Sequence, residues 1–179
     1  MDKSDPRDDQ ALIDAANRGD AAAFEALYYR YRDWVVRLAW RFTANREDAL
    51  DVLQETFAYL LRKLPGFRLS ARMTTFLYPV VKNCSLAVVR KRKRYVSGDE
   101  ALREAAARAP EASRAELAAA LGVLPDAQRE TLLMRFVDGM SLAEIADALA
   151  IPLGTVKSRL HNALNTLRHD ERTRRYFQG

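Results

Sequence analysis

The chain has 179 residues, a formal net charge of +5, 49% hydrophobic and 30% charged residues, and one cysteine. That length admits one compact domain or two small ones, and the apolar share excludes wholesale disorder. Cys84 alone excludes an internal disulfide framework and a multi-cysteine metal site.

The first ten residues, MDKSDPRDDQ, are polar, carry no secretory signal and predict a disordered leader. Residues 11–18 predict a short helix ended by Gly19. Asp20 then suits the N-cap of a longer helix. Its apolar stripe is Phe24, Leu27, Tyr28, Tyr31, Val35, Leu38, Ala39 and Phe42. A third helix runs from about Arg46 to Leu64, with Ala49, Leu50, Leu53, Phe57, Leu60, Leu61 and Leu64 as its stripe, and Pro65-Gly66 stops it. Residues 65–73 predict a loop. A further helix follows over about Thr74 to Tyr95, where Pro79 predicts a kink or a late start.

Residues 96–112 shift to Ala, Arg and Glu without a wide apolar stripe and read as a linker. Helices are then predicted over 113–121 and 126–137, separated by Gly122 and Pro125. Ser141 and Glu144 form an S-x-x-E capping box for a short helix to about Leu149. A turn at Ala150-Ile151-Pro152 leads into a last helix from about Leu153 to Arg168. The fold expected is all-α: two small helical domains joined by a linker. No apolar run approaches the ~20 residues of a membrane-spanning helix, so the reading is a cytoplasmic protein with no membrane insertion.

Charge is unevenly placed. Residues 1–59 carry 8 Lys/Arg and 12 Asp/Glu, whereas residues 60–95 carry 10 basic residues and no acidic one. Such a patch repels itself unless something anionic sits on it. Nucleic acid is the first candidate, and an anionic membrane surface or an acidic protein the second.

Three constellations carry function. The first is the helix-turn-helix pattern of residues 141–168. On its last helix Val156, Leu160, Ala163, Leu164 and Leu167 face inward, leaving Lys157, Ser158, Arg159, His161, Asn162 and Asn165 outward. Those side-chain types read base edges and hold phosphates; a solvated amphipathic helix pair is the alternative. The second is the basic stretch: Lys82 and Asn83, then Arg90, Lys91, Arg92, Lys93 and Arg94, with Arg62, Lys63, Arg68 and Arg72 nearby. Five successive cations exceed what a helix C-terminus uses. The neighbouring Phe67, Phe76, Tyr78 and Tyr95 either stack on unpaired bases or belong to the core. The third is an acidic stripe: Asp48, Asp51 and Glu55 share one side of helix 46–64, with Gln54 beside them. It is either solvated or a dock for a basic partner. The sequence shows no nucleotide-binding glycine loop, metal-ligand cluster or nucleophile with a base, so neither enzyme activity nor a cofactor is expected.

The run Asp48-Ala-Leu-Asp-Val-Leu-Gln-Glu-Thr-Phe57 resembles the core-binding motif in the second conserved region of bacterial sigma factors. With Leu124-Pro125, Ser141-x-x-Glu144-Ile145-Ala146 and Gly154-Thr155-Val156-Lys157-Ser158-Arg159-Leu160, the similarity is to the extracytoplasmic-function (ECF) group. It covers about residues 11–95 and 113–170. The resemblance implies sigma region 2 over 11–95, a linker over 96–112 and sigma region 4 over 113–174. It implies that Asp48, Asp51, Gln54, Glu55 and Phe57 dock on the clamp helices of the largest subunit of core RNA polymerase. It places Phe67 to Arg72 on the loop that captures a flipped base of the promoter −10 element, and Asn83 at the start of the strand-opening helix. Lys157, Ser158, Arg159, His161 and Asn162 fall on the face that reads the −35 element. An anti-sigma factor is implied as a further partner. The chain differs from the usual pattern at Leu50, Phe76, Pro79, Ala87, Ala150, His161 and Asn162. The rival reading is a stand-alone helix-turn-helix regulator that binds promoter DNA without polymerase.

Overall fold

The computed structural model describes residues 5–95, 121–170 and Thr173. Among them the secondary structure is helical throughout: α1 (Asp9–Asn17), α2 (Ala21–Thr43), α3 (Arg46–Lys63), α4 (Met73–Tyr95), α5 (Asp126–Phe136), α6 (Leu142–Leu149) and α7 (Leu153–His169). The chain divides into two compact units, Met1–Val96 and Ser97–Gly179. The expected linker over 96–112, and all of the helix over 113–121 except Leu121, lie outside the described residues.

In the first unit, each of the first three helices starts on a side-chain cap. The Asp8 carboxylate accepts from the Ala11 N–H at 2.8 Å, Asp20 from Ala22 and Ala23 at 2.9 and 3.1 Å, and the Asn45 amide oxygen from Asp48 at 3.0 Å. Capping of this kind satisfies N–H groups that have no intrahelical partner. Asp8 also moves the start of α1 ahead of the expected residue 11. The predicted leader of ten residues is therefore too long: residues 5–10 are built into the unit. Arg7 pairs with Asp5 at 2.7 Å and Asp20 at 3.3 Å, and Arg30 donates to the carbonyls of Asp5 and Arg7 at 2.8 and 2.7 Å. The Arg7 guanidinium and backbone N–H hold the Asp5 carboxyl down at about 2. Composition marks this leader as polar but does not reveal those cross-element partners.

Helix α2 packs on α1, α3 and α4, and α3 packs on α4. The core contains Leu12 and Ile13 of α1, Leu27, Val35, Leu38 and Ala39 of α2, and Met73, Leu77, Tyr78 and Val81 of α4. Tyr78 is thus core, with its ring edge-on to Phe42 at 6.5 Å. Pro79 delays nothing: α4 starts at Met73 and carries the proline inside it.

The α3 stripe differs from its prediction. Ala49, Val52, Leu53, Thr56, Phe57 and Leu60 are buried, while Leu50 and Leu61 are 41% and 54% exposed. Because α3 contacts both α2 and α4, its buried arc is centred on Ala49 and Leu60. Val52 and Thr56 turn in, and Leu50 and Leu61 fall outside the arc.

In the second unit, α5, α6 and α7 enclose Met134, Met140, Ile145, Val156, Leu160, Ala163 and Leu167. The capping box forms as predicted: Ser141 Oγ accepts from the Glu144 N–H at 3.2 Å, and Glu144 Oε2 from the Ser141 N–H at 2.7 Å. Helix α6 ends at Ala150 in the left-handed conformation, φ 52°. Its N–H bonds to Asp147 O at 3.2 Å, and the Ile151 N–H to Ala146 O at 3.0 Å. A residue with a Cβ is strained there by about 1–2 kcal/mol. Ala150→Gly relieves that strain at the cost of extra freedom in the unfolded chain. It is expected to stabilise this unit by about 1 kcal/mol, raising its Tm by ~4–8 °C in a circular dichroism melt. A lower Tm would mean the turn holds no strain.

Candidate functional site

Three surfaces hold the residues singled out by sequence. The first is the outer face of α3. Asp51, Gln54 and Glu55 are exposed along it, flanked by the exposed Leu50 and Leu61. Two expected members do not share this setting. Phe57 is only 4% exposed and packs edge-on to Phe24 and Tyr28, with centroids 6.2 and 4.9 Å away. It is a core residue, because α3 turns it towards α2. Asp48 is half-buried and paired with Arg92 at 2.6 Å, and the same guanidinium donates to the Thr43 carbonyl at 3.3 Å. Beside the face, α2 and α3 bound a cleft of about 400 Å³ whose walls include Tyr28, Asp33, Val36, Leu50 and Leu53.

The second surface joins the loop between α3 and α4 to the outer side of α4. Phe67 is half-buried, with its ring centroid 4.5 Å from that of Phe76, which stacks on Tyr59 at 6.3 Å. Arg68 and Arg72 are exposed. Along α4, Phe76, Asn83 and Arg90 recur at i, i+7 and i+14. One side of the helix therefore runs from the aromatic loop to the basic end, about 21 Å at 1.5 Å per residue. Lys82 is half-buried, and Asn83, Arg90 and Lys91 are exposed. Arg92 departs from the expected row of phosphate-binding cations, since its guanidinium is committed to Asp48 and Thr43. The side chains of Lys93 and Arg94 lie outside the described residues.

The loop has an anchor that no sequence pattern indicated. The Asn17 Nδ2 donates to the Phe67 carbonyl at 2.7 Å, and its Oδ1 accepts from the N–H groups of Gly66 and Phe67 at 2.8 and 3.1 Å. The partners lie 49 and 50 residues away in sequence, so local periodicity could not pair them. The one signal available was an Asn just before the Arg18-Gly19 helix end.

The third surface is α7. Lys157, Ser158, His161 and Asn162 are exposed, and Val156, Leu160, Ala163 and Leu167 are buried beneath them. Ser158 Oγ donates to the Thr155 carbonyl at 3.0 Å, and the His161 Nε2 sits 2.9 Å from the Asn165 amide nitrogen. Arg159 is half-buried. At 100° per residue it stands on the flank of α7, off the centre of the face formed by Lys157, Ser158, His161 and Asn162. Among the described residues no group of three His, Cys, Asp or Glu could hold a metal ion. Nor is any described helix long and apolar enough to cross a membrane.

Two family models match in order along the chain: Sigma-70 region 2 over residues 27–95 and Sigma-70 region 4 over residues 120–169. The ECF RNA polymerase sigma factor SigW of Bacillus subtilis is 30% identical over 87% of this chain and 92% of its own length. The ECF RNA polymerase sigma factor SigE of Mycolicibacterium smegmatis is 34% identical over 94% of this chain and 69% of its own. The chain belongs to the ECF RNA polymerase sigma factors.

A sigma factor is a transcription initiation factor and not an enzyme, and family membership removes the rival reading of a stand-alone regulator. Solved structures agree on the fold. CnrH, determined with the cytosolic domain of CnrY, aligns with a TM-score of 0.66 and 24% identity over 88% of this sigma factor and 93% of that chain. RpoE of Bartonella quintana, determined with the anti-sigma factor NepR, aligns with a TM-score of 0.60 and 20% identity over 81% and 94%. In this sigma factor, α3 and α4 lie within the region 2 match, α2 enters it from Leu27 onward, and α5–α7 lie within the region 4 match. Helix α1 precedes the region 2 match, so the Asn17 anchor reaches the loop from outside it.

Proposed function

We propose that this sigma factor docks on core RNA polymerase through the outer face of α3, with Asp51, Gln54 and Glu55 as polar contacts and Leu50 and Leu61 as apolar ones. The observation that carries this reading is the pairing of exposed carboxylates with exposed leucines on one helix. Single exposed leucines are common on any surface, but beside a row of carboxylates they supply the apolar and polar groups that an interface uses together. Phe57 acts from below by holding α3 in place, and Asp48 acts through Arg92. The 64–72 loop and the outer side of α4 engage the −10 element. Phe67 supplies the aromatic surface, and Arg68, Arg72, Lys82, Asn83, Arg90 and Lys91 meet the strand and its phosphates. Flipping a base costs a few kcal/mol, which stacking and pocket contacts offset.

Helix α7 engages the −35 element in the major groove. Lys157, Ser158, His161 and Asn162 occupy the face that meets base edges, and Arg159 meets the phosphate backbone from its flank. The protein acts in the cytoplasm, where polymerase and promoters are. An anti-sigma factor holds it until induction, as the NepR partner of RpoE suggests.

Co-elution of the purified chain with core polymerase, followed by in vitro transcription from a genomic fragment library, tests the whole reading. Absence of a complex would overturn it. Within it, Lys157→Ala is expected to lower selectivity for the correct −35 element by about 1–3 kcal/mol if its base contact is bidentate. Arg159→Ala is expected to weaken correct and scrambled −35 DNA alike and to reduce the salt slope by about 0.9. Binding measured over a salt series on both duplexes separates the two, and a selective loss in Arg159→Ala would move that residue onto the reading face.

A further inference from the structure

We propose that Asn17 of α1 is a positioning residue that holds the 64–72 loop in the shape that receives an unpaired promoter base. The proposal rests on the assignment of that loop to the −10 element. All three bonds of the Asn17 amide go to the loop backbone: one donated to the Phe67 carbonyl at 2.7 Å, and two accepted, from Gly66 at 2.8 Å and Phe67 at 3.1 Å. The amide orientation follows from this network, because the opposite orientation would set donor against donor. Gly66 sits at φ 104°, a conformation open to glycine and strained for most other residues. Left alone, such a segment samples many backbone states. One side chain that bonds both sides of residue 67 removes that freedom and fixes where the Phe67 ring leaves the chain.

The ring it fixes is the outer member of an aromatic series. Phe67 lies against Phe76 at 4.5 Å, and Phe76 stacks on Tyr59 at 6.3 Å. The helix that carries Asn17 is itself anchored. Leu12 and Ile13 are fully buried, and Asp9 accepts from the Tyr31 hydroxyl and pairs with Arg30 at 2.7 Å. Burial and that bond push the Tyr31 phenol above its ordinary range, so it stays a donor. Helix α1 thereby transmits the rigidity of the α1–α2 pair to a loop one side chain away. A loop ordered before the base arrives loses less entropy on binding.

The test uses holoenzyme assembled from the full chain and core polymerase. Wild-type holoenzyme first selects a preferred sequence from a pool of random single-stranded DNA. Binding of that strand, bearing 2-aminopurine to report unstacking, is then measured for wild type, Asn17→Ala and Asn17→Asp, beside core-polymerase affinity, duplex −35 binding and thermal melting. Asn17→Ala is expected to bind the selected strand about tenfold more weakly and to discriminate less against a scrambled strand. Polymerase and duplex binding should stay at wild-type levels. Asn17→Asp keeps both acceptor bonds and loses the donor, and is expected to fall between the two. Wild-type strand affinity in both variants would overturn the proposal, as would parallel loss of strand binding, polymerase binding and Tm, which would make Asn17 a support of the fold. If wild-type holoenzyme selects no strand at all, the assignment of the loop falls, and the proposal with it.

Discussion

Asp51→Arg is expected to abolish most core-polymerase binding and transcription while leaving helicity and melting near wild type. Asp51 is exposed on α3, pointing away from the buried arc of Ala49, Val52, Leu53, Thr56, Phe57 and Leu60. Surface substitutions of this kind usually shift stability by about 0.5 kcal/mol or less. At an interface the same change reverses a charge on the face that Leu50 and Leu61 border, where water is expelled on docking. Against a basic or mixed-charge partner helix it sets like charges together and leaves a partner group unpaired, at a cost of about 2–5 kcal/mol. Each 1.4 kcal/mol is about tenfold in affinity, so affinity for core polymerase should fall by roughly 30- to 4,000-fold. Gel filtration with core polymerase and a promoter-dependent transcription assay read the effect, and circular dichroism controls for the fold. Wild-type binding and transcription would remove the docking assignment of this face.

Phe57→Ala should fail for the opposite reason, through stability. The ring is almost fully buried and meets Phe24 and Tyr28 edge-on. Removing a buried aromatic costs about 3–5 kcal/mol, a large share of the ~5–15 kcal/mol that hold a domain together. The Tm of the first unit should fall by at least ~12 °C. Polymerase binding should be weak near the new midpoint and return on cooling, when the unit refolds. Asp51→Arg, by contrast, should stay defective at every temperature. A binding loss in Phe57→Ala without a drop in Tm would make Phe57 a direct contact and would require the ring to leave its pocket on docking.

The two variants lie six residues apart on one helix, and they mark how far the sequence could be read. The motif around Asp48 to Phe57 carries the family and the docking function, but a motif does not separate the residues that touch a partner from those that hold the helix in place. Helical periodicity put Phe57 on the apolar side and Asp51 opposite, and both placements agree with the structure. It put Leu50 and Leu61 on the apolar side as well, and there the structure differs, since the stripe is set by where α2 and α4 lie. In the sequence Asp48 and Arg92 belong to different charge clusters, and so to two separate surfaces. Their ion pair at 2.6 Å joins residues 44 apart.

What the sequence determined by itself was everything encoded over a few residues. The caps at Asp20 and at Ser141 with Glu144, the stops at Gly19 and Pro65-Gly66, and the inward set Val156, Leu160, Ala163 and Leu167 all follow from local hydrogen bonding and a 3.6-residue period. The acidless basic stretch and the order of the motifs required no structure to name an anionic partner and a family. The tertiary structure decided what depends on approach between distant elements. It ordered residues 5–10 through Arg7 and Arg30, carried Pro79 inside a packed helix, left Arg159 half-buried, and brought Asn17 to the 64–72 loop. The physical reason is common to these cases. A backbone cap or an apolar stripe is satisfied within one helix, whereas an ion pair, an amide clamp or the exact arc of burial exists only once a second element supplies the other half.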